Sequence, residues 1–125
     1  MKIMVYGTLK KAYGNHRIIK GSTFLGNAVT KGKYVLYDCG FPMAVIPKGE
    51  TGHPVLPIMG EVYEVDDEAA RRCDGLEGHP NWYCRKQITV DMGGEEVAVW
   101  MYEMISTPRT TRLSNISNGI YNWLG

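Results

Sequence analysis

The sequence predicts an α+β fold in which a mostly antiparallel, curled sheet or barrel packs against a helix. Three observations lead to this prediction: many short apolar runs separated by turns, one segment with the end signals of a helix, and two strand-like runs around adjacent glycines. Glycine supplies 15 of the 125 residues and lies mostly between the apolar runs, as expected where many turns join short strands. A chain of this length buries one core, so residues 1–125 are expected to form a single domain.

Seven segments have the apolar, β-branched and aromatic content of strands. The second, third and fourth are separated by glycines and predict a meandering sheet. The last two flank Gly93 and Gly94, whose access to positive φ predicts a tight hairpin turn. Residues 47–57 are rich in proline and glycine and predict a surface loop. The seven segments are Lys2–Tyr6, Thr23–Thr30, Lys33–Asp38, Met43–Pro47, Ile58–Val65, Tyr83–Asp91 and Glu95–Met104.

One segment after the fifth strand has the signals of an α-helix. Asp66 can cap its start, two acidic residues follow in the first turn, and good helix formers come next. Gly75 and Gly78 are expected to end the helix. A shorter helical turn is predicted at His16–Lys20.

The charge balance argues against several kinds of partner. Lys and Arg number 14 and Asp and Glu 13, so the formal net charge of +1 creates no field that attracts nucleic acid or anionic lipid. Lys10 and Lys11 are too few for a nucleic-acid surface and are expected to be solvated. No apolar run approaches the roughly 18 residues of a membrane span, and the N-terminus lacks a signal-peptide core. We therefore expect neither membrane insertion nor export.

The cysteines and histidines indicate no metal site. Cys39, Cys73 and Cys84 are an odd number without the close pairing of a disulfide framework, which favours a reducing compartment and a cytoplasmic location. Neither Cys73 nor Cys84 has an evident histidine partner for nucleophilic catalysis. The three histidines are scattered and lack the spacing of a zinc site. Neither a metal nor another cofactor is expected.

The end of the first strand, VYGTLK, is the first of two segments that suggest chemistry. Gly7 lets the backbone turn sharply, so the amides of Gly7, Thr8 and Leu9 can point into one concavity and bind an anion or a developing oxyanion. The alternative is an ordinary strand-to-loop turn with glycine at the bend, which is the better interpretation of YGTL taken alone.

Glu77 is the centre of the second segment, CDGLEGHPNWYCR. It lies where the predicted helix ends, shortly before Trp82 and Tyr83. A carboxylate partly stripped of water has a raised pKa, so it can accept and return a proton near neutral pH. The alternative is a solvated glutamate at a helix end, which is the commoner case for a glutamate considered by itself.

These segments together resemble a known family. The opening VYGTLK followed by GNH, and the run GEVYEVDDEAARRCDGLEGHPNWYCR with a strand pair after it, resemble the gamma-glutamylcyclotransferase (AIG2-like) family, most of all its gamma-glutamylamine cyclotransferase branch. The ending SNGIYNW is similar to that of bacterial members, so the resemblance covers nearly the whole chain, although residues 20–57 match loosely. The sequence departs from the pattern at Cys73, where leucine is common, and at the variable pair Gly75 and Leu76.

The resemblance implies a small mixed, mostly antiparallel β-barrel with one or two flanking helices, and an enzyme without metal or cofactor. Its partner would be a small γ-glutamyl substrate, whose α-amine attacks the γ-carbonyl to release 5-oxoproline and a free amine or amino acid. Glu77 would be the general acid–base residue. The residues that would bind the substrate or brace the pocket are Tyr6, Gly7, Thr8, Leu9, Tyr83, Arg85 and Tyr102.

Two other classes of function remain open at this point, and so do the leaving amine and the oligomeric state. A non-catalytic small-molecule or protein-binding module would keep the barrel and the pocket, but it gains nothing from burying an unpaired carboxylate. A structural or interaction protein would instead have an exposed apolar patch and no cavity at Glu77. The position of the Glu77 side chain therefore discriminates between these functions.

Overall fold

Nine strands, one α-helix and one 3₁₀-helix make up the protein, and the computed structural model describes all residues 1–125. The α-helix, α1, is Asp67–Glu77, and the 3₁₀-helix is Gly14–Ile19. The strands are β1 (Lys2–Val5), β2 (Thr23–Thr30), β3 (Val35–Asp38), β4 (Pro42–Val45), β5 (Met59–Glu64), β6 (Tyr83–Met92), β7 (Glu95–Met104), β8 (Ile116–Ser117) and β9 (Ile120–Tyr121).

Five of the strands close into a barrel in the order β1-β5-β2-β6-β7. All pairs in the barrel are antiparallel except β1 with β7, which is parallel and joins at Ile3 and Trp100. The predicted α+β class and the small mixed, mostly antiparallel barrel are therefore confirmed.

The hairpin of β6 and β7 has the geometry that its glycines predict. The two strands pair in unbroken register from Tyr83 with Met104 to Met92 with Glu95. Gly93 and Gly94 form the turn with φ of 63° and 92°, values that residues with a Cβ rarely adopt.

The predicted meander of β2, β3 and β4 is wrong. β2 pairs with β5 and β6 in the barrel, whereas β3 and β4 form a separate two-stranded sheet in which β4 packs against β7. Every residue of β3 and β4 is buried, so the apolar pattern carries no alternation that identifies the sheet to which these strands belong. At the last residue of β2, the Thr30 hydroxyl donates to the Gly32 carbonyl and accepts from the Ile58 amide.

The helix α1 begins where the sequence predicts but ends later than one of its glycines suggests. The Asp66 side chain accepts a hydrogen bond from the Ala69 amide at 2.8 Å, as expected of an N-cap. Gly75 lies inside the helix, so the expectation that it ends the helix is wrong, while Gly78 ends it in the left-handed conformation at φ 64°. The two residues after Gly75 place Glu77 as the last helical residue. No helix of the protein is both long and apolar enough to cross a membrane.

The short helix after β1 begins two residues earlier than predicted, at Gly14, and it packs against α1. The Arg72 Nε of α1 donates to the Ile18 carbonyl at 3.2 Å. The loop after β1 is thereby linked to the same helix that carries Glu77.

Two apolar clusters hold these elements together. The inner cluster contains residues from all five barrel strands together with Leu36 and Ala44 of the β3–β4 sheet. The outer cluster joins barrel strands to α1 and to other residues of the β3–β4 sheet. Strand β1 contributes to both, because alternate residues of a strand point to opposite faces: Ile3 and Val5 join the outer cluster, while Met4 and Tyr6 join the inner one. The end of β1 therefore has a fixed position between the two clusters.

Lys10 is buried, so the expectation that it is solvated is wrong. Its Nζ donates to the Trp123 carbonyl at 2.6 Å and lies 3.4 Å from Asn122 Oδ1. It also lies over the ring of Tyr13, 5.4 Å from the centroid. A long aliphatic stem lets lysine bury its carbons when its ammonium finds acceptors. Lys10 thus ties the loop after β1 to the C-terminal segment.

Replacing Asp66 by Ala is expected to lower the free energy of unfolding by about 1 kcal/mol, because the Ala69 amide loses its acceptor. Urea denaturation followed by circular dichroism measures the change. The control is Asp67→Ala, which removes an exposed first-turn carboxylate without a capping bond. An equal loss in both variants would contradict the capping role.

Candidate active site

A cavity of about 290 Å³ lies where the end of β1, the turn between β3 and β4, the C-terminal end of α1, and strands β6 and β7 meet. Of the eight residues that the sequence singles out, seven line it: Tyr6, Gly7, Thr8, Leu9, Glu77, Tyr83 and Tyr102. Arg85 does not line it. Asn15, Phe41 and Trp82 line it as well and were not among the candidate residues; the GNH motif that contains Asn15 was the available signal.

Gly7 is required by a close approach rather than by a special backbone angle. Its φ lies outside the left-handed region, so the turn after β1 does not need a backbone angle that only glycine adopts readily. A Cβ at this position would lie 2.4 Å from Cγ and 2.8 Å from Cδ of Pro42. The missing side chain therefore lets the β1 loop and the start of β4 form adjoining walls of the cavity.

Three consecutive amides of this loop have no acceptor within the protein. No hydrogen bond uses the N–H of Gly7, Thr8 or Leu9, whereas the carbonyls of Gly7 and Thr8 accept from the amides of Lys10 and Asn15 at 3.0 and 3.1 Å. Successive unpaired amides in a turn can form a concave binding site for an anion.

Two side chains of the GNH motif hold the loop in place. Asn15 Nδ2 donates to Thr8 Oγ1 at 2.9 Å, and His16 Nδ1 lies 2.9 Å from the Leu9 carbonyl oxygen. The His16 ring packs against Tyr63 with the centroids 5.5 Å apart. The short helix thereby fixes the conformation of the loop.

Glu77 is a half-buried carboxylate without a partner. It lines the cavity and has no hydrogen-bond donor or cation of the protein within bonding distance. Burial raises its pKa to about 7, because removal from water disfavours the charged form. By contrast, Glu68 on the same helix is exposed and pairs with Arg72 at 3.2 Å. Perturbed groups of this kind in a cavity are typical of sites that transfer protons.

The hydroxyls of the three tyrosines of the cavity all donate hydrogen bonds to acceptors of the protein. Tyr6 donates to the Tyr102 carbonyl at 2.6 Å, and Tyr83 donates to the Pro42 carbonyl at 2.8 Å. The Tyr102 hydroxyl donates to the Asp74 carboxylate. Each phenol has one proton, so these hydroxyls can only accept hydrogen bonds from a ligand.

Burial is the main cause of a raised pKa in each of these phenols. The hydrogen bond to Asp74 raises the pKa of Tyr102 further, and the nearby Glu77 raises that of Tyr83. The pKa of Tyr6 is also raised, mainly by burial. The three phenols therefore remain neutral over the physiological range.

Arg85 braces the wall of the cavity from behind. Its Nε and Nη2 lie 3.2 and 3.3 Å from the two carboxylate oxygens of Asp74, and its guanidinium lies over Trp100, 5.2 Å from the centroid. The Arg85 amide donates to His79 Nδ1 at 3.0 Å. Arg85 thus contacts Asp74, which accepts the hydrogen bond of the Tyr102 hydroxyl. It does not line the cavity.

The arrangement separates donors from acceptors. The unpaired amides belong to the loop after β1, whereas the Glu77 carboxylate and the phenol oxygens of Tyr83 and Tyr102 belong to other elements around the cavity. No Lys, Arg or His lines the cavity, and no group of three or more His, Cys, Asp or Glu side chains could hold a metal ion. The cavity therefore suits a small ligand with anionic oxygens at one end and N–H groups at the other.

The β-barrel fold is shared with a known class of proteins. The model of the family described as gamma-glutamyl cyclotransferase, AIG2-like, matches residues 3–122. The chain belongs to this family, which confirms the resemblance seen in the sequence.

Individual relatives agree with this membership. A protein of Methanocaldococcus jannaschii whose name assigns it to the gamma-glutamylcyclotransferases is 39% identical over 102 residues, which are 80% of this chain and 81% of the relative. The rat gamma-glutamylaminecyclotransferase is 35% identical over 96 residues, covering 70% of this chain and 62% of the rat protein. The crystal structure of a mouse AIG2-like protein matches with a TM-score of 0.73 at 26% identity, over 86% of this chain and 79% of the mouse chain.

Replacing Gly7 by Ala is expected to lower the free energy of unfolding by about 1–3 kcal/mol, because the added Cβ overlaps the Pro42 ring. Urea denaturation measures the loss. Gly14→Ala is the matched control, since a Cβ added at Gly14 would meet no atom within 4 Å and the φ of this residue is not positive. If Gly7→Ala were as stable as that control, the close approach of Pro42 would not be the reason for glycine.

The stability of the protein should depend on pH through Glu77. Its folded pKa, about 7, lies above its ordinary 4.5, so folding favours the protonated form. This contribution is complete below about pH 4.5 and is lost as the pH rises through 7. The loss amounts to at most about 3 kcal/mol at 1.36 kcal/mol per pKa unit.

Glu77→Gln should therefore lose less stability than wild type between pH 4.5 and pH 8, as measured by urea denaturation at both values. Glu68→Gln, on the exposed face of the same helix, should keep the wild-type dependence. An unchanged pH dependence in Glu77→Gln would show that the carboxyl is well solvated.

Proposed function

We propose that the protein is an active gamma-glutamylcyclotransferase in which Glu77 transfers the protons. One observation supports this most: an unpaired carboxylate with a pKa of about 7 lines the same cavity as three backbone amides without acceptors. The reaction would need no metal or cofactor, because the attacking amine and the target carbonyl belong to the same substrate molecule.

The substrate would bind with its anionic oxygens toward the loop of Gly7, Thr8 and Leu9. No cationic side chain lines the cavity, so neutral donors, above all the three unpaired backbone amides, are the available partners for a carboxylate and for the γ-carbonyl oxygen as it gains charge. The oxygens of Tyr83 and Tyr102 can accept hydrogen bonds from the substrate ammonium. This orientation brings the ammonium to the side of the cavity that Glu77 occupies.

Glu77 would act first as a base and then as an acid. Its carboxylate takes a proton from the substrate α-ammonium, and the freed nitrogen lone pair attacks the γ-carbonyl carbon. The tetrahedral intermediate collapses as the bond to the leaving nitrogen breaks, and protonated Glu77 gives its proton to that nitrogen. The carboxylate so regenerated takes the second proton from the new ring nitrogen and passes it to the departing amine, which leaves as an ammonium ion. The products are 5-oxoproline and a free amine. A pKa near 7 suits both transfers near neutral pH.

Holding the two reacting groups of one molecule in contact supplies much of the rate. A well-oriented intramolecular reaction can gain about 7–11 kcal/mol in this way. Each well-placed amide facing the oxyanion adds about 2.7–4 kcal/mol. The rigid end of β1, fixed by both apolar clusters, is suited to keep these amides in place.

We propose that the leaving group is an amine rather than an α-amino acid. The cavity is lined by the apolar side chains of Phe41, Leu76 and Trp82, with the rings of Phe41 and Trp82 in edge contact at 5.7 Å. A second carboxylate next to the scissile bond would find no cationic side chain there, so its desolvation would be unfavourable. The name of the rat relative, a gamma-glutamylaminecyclotransferase, favours the same substrate class.

Incubation with a panel of γ-glutamyl amines and γ-glutamyl amino acids, with 5-oxoproline measured by mass spectrometry, tests the proposal. We expect turnover of the amines in preference to the amino acids. Glu77→Gln should lower kcat by about 10²–10⁴-fold, because the amide cannot accept the proton. Glu68→Gln removes an exposed carboxylate of the same helix and should behave as wild type.

A fully active Glu77→Gln variant would refute the assignment of the acid–base residue. If wild type bound members of the panel in calorimetry but released no 5-oxoproline, the protein would be a binding module that keeps the barrel and the cavity.

A further inference from the structure

The hydroxyl of Thr8 differs from every other hydroxyl of the cavity. Thr8 Oγ1 accepts a hydrogen bond from Asn15 Nδ2 at 2.9 Å, and no acceptor of the protein takes its own proton. The tyrosine hydroxyls of the cavity all donate their hydrogen bonds to protein acceptors. Thr8 is therefore the one cavity-lining side-chain hydroxyl with a proton available to a ligand.

Asn15 determines this state of the Thr8 hydroxyl. An amide nitrogen is only a donor, so the Thr8 oxygen must accept from it and its proton must point elsewhere. The Asn15 backbone amide also donates to the Thr8 carbonyl at 3.1 Å, so two hydrogen bonds join these residues and fix their distance. Both residues line the cavity, so a ligand bound in the cavity can accept a hydrogen bond from the Thr8 hydroxyl.

We propose that Asn15 is a positioning residue that makes the Thr8 hydroxyl a donor to the oxygen of the γ-carbonyl as it gains negative charge. This role rests on the proposed cyclotransferase activity. Thr8 would act beside the three amides of its loop, as an added donor whose orientation is set before the substrate binds. Donors oriented in advance stabilise a developing charge without reorganisation during the reaction.

The proposal is tested by reversing the polarity of the bond between the two side chains. Asn15→Asp keeps the size of the side chain but replaces the donor by an acceptor, so the Thr8 hydroxyl would give its proton to Asp and present only lone pairs to the substrate. Thr8→Val keeps the shape of Thr8 but removes the hydroxyl. Measuring both variants and the double variant gives a double-mutant cycle.

Steady-state kinetics on the γ-glutamyl compound that wild type turns over best provides the readout, with circular dichroism to confirm that each variant folds. We expect Thr8→Val to lower kcat by about 10²-fold with a smaller change in KM, as for the loss of one oxyanion donor. Thr8→Ser, which restores the hydroxyl, should recover most of that loss. Asn15→Asp alone should lower kcat by about tenfold or more.

The decisive comparison is the effect of Asn15→Asp in the Thr8→Val background. If Asn15 acts through the Thr8 hydroxyl, the same substitution changes kcat by less than about twofold there. If Asp acts only by adding negative charge to the cavity, its effect is the same size in both backgrounds, which overturns the proposal. Asn27→Asp, on the exposed surface of β2, controls for charge added elsewhere on the protein.

The outcome for wild type separates the two levels of inference. A wild-type protein that turns over no γ-glutamyl compound overturns the proposed function, and the Asn15 role with it. An active wild type whose Thr8→Val variant keeps full kcat, or whose cycle shows no coupling, overturns the role of Asn15 alone.

Discussion

The burial of the last turn of α1 against the barrel is the constraint on which the site depends. Asp74, one turn before Glu77, accepts from the Tyr102 hydroxyl of β7 and pairs with Arg85 of β6, so both strands of the long hairpin hold the end of the helix. Because this end is fixed, Glu77 faces a cavity instead of bulk water. Its raised pKa is a consequence of that position, and the negative end of the helix dipole acts in the same direction.

The wall of the cavity that the loop after β1 forms depends on a close contact at Gly7. Gly7 has no side chain, so the Pro42 ring approaches to within a distance that a Cβ would not allow, and the β3–β4 sheet closes over the end of β1. Tyr83 then donates to the Pro42 carbonyl, which joins this sheet to the start of β6. A contact that packs the fold therefore also occupies the hydrogen-bond donor of Tyr83.

The sequence predicted the parts of this protein that local chemistry determines. Asp66, Gly78 and the pair Gly93 and Gly94 each serve a cap or a turn that the residue type favours, and the apolar runs marked the barrel strands. It did not predict the separate sheet of β3 and β4. Strands that are buried on both faces show no alternation of apolar and polar residues, so their sequence does not indicate which strands they pair with. The burial of Lys10 was missed for a similar reason: its acceptors lie at the other end of the chain, at Trp123 and Asn122.

The same long-range contacts explain why Glu77 has no partner. Two cations near this end of the barrel find acceptors elsewhere: Arg85 pairs with Asp74, and Lys10 donates to the C-terminal segment. Either cation beside Glu77 would lower its pKa and make it a poor base near neutral pH. The ion pair between Arg85 and Asp74 therefore matters to the site in two ways. It fixes the carboxylate to which Tyr102 donates, and it keeps the positive charge of Arg85 away from Glu77. A residue that seemed from its position in the sequence to serve the ligand is, in the fold, suited to protect the basicity of the residue that we assign to the proton transfer.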